Sequence, residues 1–113
     1  MAEPDLTGAE LLLGALASDV IGLFLELAAR RRVTVDEVEA TVKAELADPL
    51  VYLGVAGAAG EPRYDSFSLR AYAGSSAADL LLQELWGEAL RRSPLANTLR
   101  RAATMEAILK VQS

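Results

Sequence analysis

The 113-residue chain contains no cysteine and no histidine. The first absence excludes disulfides, thiol catalysis and thiolate metal sites. The second removes imidazole acid–base chemistry, and together they leave no zinc site built on Cys or His ligands. No excess of basic charge is present either: the formal net charge is −5. A chain of that sign has no long-range field drawing it to phosphate backbones, so nucleic acid is not an expected partner. The opening MAEPDLTGAE has no basic n-region and does not read as a signal peptide. GAAGEP, residues 57–62, carries no lysine and no phosphate-cradling pattern, so it reads as a turn. No internal repeat or low-complexity tract is found.

What is present fits one globular domain spanning residues 1–113, with 52% hydrophobic and 24% charged residues. A domain of this size buries only about 60–70% of its unfolded surface, so association through an apolar face would help it. The longest apolar stretch runs from Leu11 to Ala29 and holds Ser18, Asp19 and Glu26. Those residues argue against a membrane span and for a helix buried in protein. A cytoplasmic location is then expected.

Helical periodicity marks residues 8–31, with Leu12, Ala15, Leu16, Leu23 and Leu27 on one stripe and Leu13, Val20, Phe24 and Leu25 widening it. Asp5 or Thr7 suits its cap. Period 2 follows: Val38, Ala40, Val42, Ala44 and Leu46 alternate with Glu37, Glu39, Thr41, Lys43 and Glu45, the pattern of a half-exposed strand. Asp48-Pro49 signals a turn, and residues 50–55 read as a short apolar strand or irregular segment.

A further strand places Phe67, Leu69, Ala71 and Ala73 on one face and Ser66, Ser68, Arg70 and Tyr72 on the other. Ser76 and Asp79 stand at capping-box spacing before a helix with Leu81, Leu82, Leu85, Trp86 and Ala89 on its apolar stripe. Trp86 suits a core or interface anchor. Ser93-Pro94 fits an N-cap followed by the first position of a short helix. Residues 104–111 form a last strand, with Met105, Ala107, Leu109 and Val111 inward. The class is α+β: a long helix packed on an antiparallel or mixed sheet, with two C-terminal helices. The arginine clusters at 30–32, 91–92 and 100–101 close helices and complement their dipoles, an anion site being the alternative.

Three segments now resemble the OsmC/Ohr family, the osmotically inducible and organic hydroperoxide resistance proteins. GAELLLGALASD resembles the family's P-E-x-L-L-x-A-A-x-A-A-C start of its central helix. YDSFSLRAYAGSSAADLLLQELWGEALRRSP resembles its strand, serine-led cap and helix. SPLANTLRRAATMEAILKV resembles its C/S-P-x-x-N-T-L turn and final strand.

The resemblance implies a homodimer with central helices buried between two sheets. It also implies hydroperoxide reduction by a reactive cysteine, a resolving cysteine, and an activating arginine and glutamate. Carried over residue by residue, that set fails. The reactive position is Asp19, the resolving position is Ser93, and the activating glutamate falls on Ala9 with Glu10 one place late. The N-terminal strands that would bring the arginine are expected to be missing, with dimerisation or another chain completing the fold. A carboxylate has no sulfenic acid state, so thiol peroxidase chemistry is excluded.

Asp19 is left with three readings: a partnered or solvent-edged carboxylate at a dimer cleft, a ligand-binding residue in a remnant pocket, or an acid–base group working with Glu26 in a hydrolase-like reaction. Glu26 lies seven residues on, roughly 10 Å by helical rise, and Arg30 is placed to pair with it. Arg70 or Arg63 is the candidate partner of Asp19. The ligand-binding set is therefore Asp19, Glu26 and Arg70, with no metal and no cofactor expected. The leading expectation is a non-catalytic binding or structural homodimer related to oxidative-stress proteins.

Overall fold

The computed structural model describes residues 6–112; Asp5, one of the two candidate caps, lies outside them. Helix α1 spans Gly8–Arg30. It starts on a capping box: Thr7 Oγ1 accepts from Glu10 N, and Glu10 Oε1 accepts from Thr7 N, both at 3.1 Å. Strand β1 covers Glu37–Leu46, a short helix α2 Pro49–Tyr52, and β2 Tyr64–Gly74. Helices α3 (Asp79–Arg92) and α4 (Pro94–Ala102) follow, and β3 (Thr104–Gln112) ends the described chain.

The sheet is mixed, in the order β1-β2-β3. β1 runs antiparallel to β2, with Val42 opposite Leu69, and β3 runs parallel to β2, with Leu69 opposite Ala107. The two C-terminal helices form the crossover that a parallel pair requires. Helices α1, α3 and α4 share one layer, where α1 packs chiefly on α3.

The core lies between that layer and the inner sheet face. Leu16, Val20 and Phe24 of α1 meet Phe67, Leu69 and Ala71 of β2 and Leu82, Leu85 and Trp86 of α3, all buried. The period-2 and period-3.6 stripes thus converge on one interior. Trp86 is a core anchor: its ring meets Phe24 edge-on at 5.7 Å, and its Nε1 donates to Ala107 O at 3.3 Å.

Three local expectations are corrected. Residues 50–55 are not a strand. Pro49 starts a helical turn, and the segment holds Leu50, Tyr52 and Leu53 exposed. Ser76 does not cap α3, whose N-cap is Ala78 with no side-chain hydrogen bond. Ser75 organises that corner instead: buried, it donates to Thr34 O at 2.6 Å and accepts from Ala77 N at 3.1 Å. Ala40 points inward by alternation but is exposed. It sits on an edge strand that α1 reaches only lightly.

Helix α1 is not surrounded within one chain. Its inner stripe is buried, while Leu11 and Leu25 are exposed. Ala15, Ser18 and Gly22 lie on the same outward line. A Cβ added at Gly14 or Gly22 would meet nothing within 4 Å. By length and hydropathy α1 would suffice to cross a membrane. That test is also met by core helices, and α1 supplies five buried residues to this core.

Candidate functional site

Asp19 stands at the middle of α1, half-buried, on the side facing the corner between α3 and α4. Ser93 is at that corner, with no exposed surface. The two side chains meet: Ser93 Oγ donates to Asp19 Oδ2 at 2.5 Å. The same carboxylate oxygen accepts from Leu95 N at 3.3 Å. Ser93 Oγ in turn accepts from Ala96 N at 3.0 Å. A hydroxyl has one proton to give and lone pairs to receive with, and both capacities are engaged here.

The local sequence explains the arrangement. Ser93 is extended, at φ −72° and ψ 116°, the conformation of an N-cap, and Pro94 follows at the first helical position. A helix start leaves its first amides without intrahelical partners. In α4 every one is provided for. Pro94 has no N–H, Leu95 N donates to Asp19, Ala96 N donates to Ser93 Oγ, and Asn97 N donates to Ser93 O at 3.0 Å. Asp19 thus brings a negative charge, from another helix, to the positive end of α4, where such a charge is stabilising. An anion-binding helix terminus is already filled by the chain's own carboxylate.

The other sequence-derived candidates lie elsewhere. Glu26 pairs with Arg30 at 2.6 Å on the exposed rim of α1, with side chains 55% and 63% exposed. That is an ordinary i,i+4 pair and does not involve Asp19. Arg70 is not the partner of Asp19. It lies on the outer face of the sheet, behind β2 as seen from α1, where its nearest carboxylate is Glu106 at 3.9 Å. Alternation along β2 sends Leu69 and Ala71 inward and therefore Arg70 outward. Arg63 pairs with Glu61 at 3.7 Å. Among the described residues no cluster of acidic side chains could hold a metal ion. Glu10 is occupied as the capping-box partner of Thr7.

The family comparison bears directly on this corner. A family model described as OsmC-like protein matches residues 3–107. The chain belongs to the OsmC-like family. Among solved structures, it is similar to the crystal structure of an OsmC-like protein from Mycoplasma pneumoniae, with a TM-score of 0.81 and 14% identity over 98% of this chain and 75% of that one. It is similar to an organic hydroperoxide resistance protein OsmC from Legionella pneumophila, with a TM-score of 0.69 and 14% identity over 98% and 72% of the two chains. It is likewise similar to the organic hydroperoxide resistance protein OhrB of Bacillus subtilis, with a TM-score of 0.67 and 14% identity over 97% and 73%. At such identities the likeness concerns the fold. No curated protein matches the sequence.

Asp19 and Ser93, the two residues that the motif resemblance singles out, touch each other. Sequence reasoning treated them separately, Asp19 with an arginine partner and Ser93 as a cap alone. The signal that would have joined them lay in the resemblance itself. The resemblance sets Asp19 and Ser93 at the places of two cysteines that exchange a disulfide, and such a pair must come within bonding distance.

Proposed function

We propose that this chain is a non-redox OsmC-like protein in which the Asp19–Ser93 hydrogen bond has taken the place of the family's dithiol pair. It acts as a homodimeric binding or structural module in the cytoplasm. The observation carrying this reading is the hydrogen-bond network that joins Asp19 Oδ2, Ser93 and the α4 N-terminus. A dithiol centre works by opening and closing a bond, with a reactive thiolate held ready in between. The pair here has no such second state. Its groups are bonded to each other, and neither can take up the oxygen of a peroxide.

The dimer is supported by the outward line of α1. Leu11, Ala15, Ser18, Gly22 and Leu25 are apolar or small and, in one chain, uncovered. Small residues let a second helix approach closely, and the flanking leucines supply apolar area. A two-layer molecule 22 Å in its shortest dimension would gain a shared core by pairing through this face. A role near stress response is supported by the names of the related structures, two of which are organic hydroperoxide resistance proteins.

The experiment is an assay of organic hydroperoxide consumption by the purified protein with a dithiol reductant, beside its mass in solution. The expected outcome is a rate equal to the reductant blank and a species of twice the chain mass. Turnover abolished by Asp19→Ala would refute the non-redox reading, and a monomer at micromolar concentration would refute the dimer.

A further inference from the structure

The outer face of the sheet carries a second feature, independent of the Asp19–Ser93 corner. Thr41, Lys43, Ser68, Arg70 and Tyr72 line a depression of about 250 Å³ there. Register explains their meeting: Thr41 stands opposite Arg70 and Lys43 opposite Ser68, while Tyr72 is the next outward residue along β2. Neighbours across a sheet lie within about 5 Å, and same-face neighbours along a strand within about 7 Å, so five side chains reach one shared space.

The chemistry of this set is one-sided. It holds two cations and three hydroxyls, and no carboxylate, in a chain whose net charge is −5. Arg70 is only loosely engaged by Glu106, at 3.9 Å with both side chains half-exposed. Among the described residues Lys43 forms no ion pair. Helices α1, α3 and α4 lie on the other face of the sheet, and Thr41, Lys43 and Arg70 are exposed.

We infer that this depression binds the phosphate of a small phosphate monoester. An arginine fork and a lysine are the paired groups that recognise phosphate oxygens, and hydroxyl donors complete a tetrahedral ligand better than a flat carboxylate. The space, about 250 Å³, exceeds a phosphate alone, and Tyr72 in its lining offers a ring on which a compact organic group can pack. A polyanion is disfavoured, because Glu39, opposite Tyr72, and Glu106, beside Ser68, repel any charge that extends beyond the depression.

The test is a titration of the isotope-labelled protein with phenyl phosphate at low ionic strength, followed through backbone amide resonances. Saturable shifts centred on residues 41, 43, 68, 70 and 72 are expected. Lys43→Gln and Arg70→Gln should each weaken binding about tenfold, the effect of losing one charge-assisted contact. Both positions are exposed, and an unchanged spectrum of the unliganded variants verifies their fold. Tyr72→Ala should weaken phenyl phosphate but not inorganic phosphate, while Arg30→Gln, remote on α1, should change nothing. Linear, unsaturable shifts would overturn the inference. So would a response centred on Arg31 and Arg91, benzoate binding as tightly as phenyl phosphate, or a short RNA competing more strongly than either.

Discussion

Removing the Asp19 carboxylate should destabilise the fold by an amount that the geometry fixes. Asp19→Ala deletes two hydrogen bonds to a charged acceptor, from Ser93 Oγ and Leu95 N. It also leaves the Ser93 proton without a partner at a site with no exposed surface. Hydrogen bonds to charged groups contribute about 1.5–3 kcal/mol, and an orphaned buried donor costs about 1–3 kcal/mol; the two overlap, so a net loss of about 2–3 kcal/mol follows. Ser93→Ala loses the N-cap, about 1 kcal/mol, together with its bond to Asp19, for a total of about 2 kcal/mol. Once either partner is gone the other has less to lose. The double variant should therefore fall short of the sum by about 1–2 kcal/mol, against a threshold of about 0.5 kcal/mol for independent sites. Urea denaturation of the four proteins measures the coupling. A sum that closes within that threshold would mean the two side chains do not act as one unit, and the reasoning would fail.

Other outcomes follow from the same packing. Asp19→Asn keeps an acceptor for Ser93 and loses only the charge at the α4 terminus, so a thermal scan should show a drop of about 1 kcal/mol, the size of a helix-dipole contribution. Trp86→Ala empties a site lined by Phe24 and the backbone of β3, and denaturation should report a loss of about 3–5 kcal/mol. Ser75→Ala strands Thr34 O and Ala77 N at the entry to α3, at a cost of about 1–2 kcal/mol, with faster amide exchange at residue 77 as its local sign. On the proposed dimer, Gly22→Arg and Leu25→Glu on the outward line of α1 should leave only monomer in analytical ultracentrifugation, while circular dichroism stays unchanged.

Much of the architecture was legible because the periods were clean. Val42 and Leu69 alternate with Lys43 and Arg70, and both strands form as the pattern directs, facing each other across the sheet. Ser93-Pro94 announced the start of α4 with a cap and a residue that needs no amide partner. Failures cluster where short-range signals compete. Leu50 to Val55 is apolar enough for a strand, but Pro49 starts a helical turn there and Gly54 follows with a positive φ. Ser75 and Ser76 offer two hydroxyls for one corner, and only the partner 41 residues away, Thr34 O, decides between them.

The candidate site shows the same division. Asp19 was visible as an anomaly within its own helix, and the i,i+4 pairing of Glu26 with Arg30 could be read from spacing alone. The partner of Asp19 could not, because it is set by how α4 meets α1. Arg70, a candidate partner of Asp19, keeps instead its more ordinary role of a half-exposed residue on the outer sheet face, where the alternation of β2 had already placed it. That same placement gathers it with Lys43 and three hydroxyls.

The central proposal is that the Asp19–Ser93 bond takes the place of a redox pair and that the protein performs no redox chemistry. Its most direct test is the rate at which purified protein consumes cumene hydroperoxide in the presence of dithiothreitol. The account predicts a rate indistinguishable from the reductant alone, for the parent protein and for Asp19→Ala alike. Catalytic turnover by the parent protein that disappears in Asp19→Ala would contradict it.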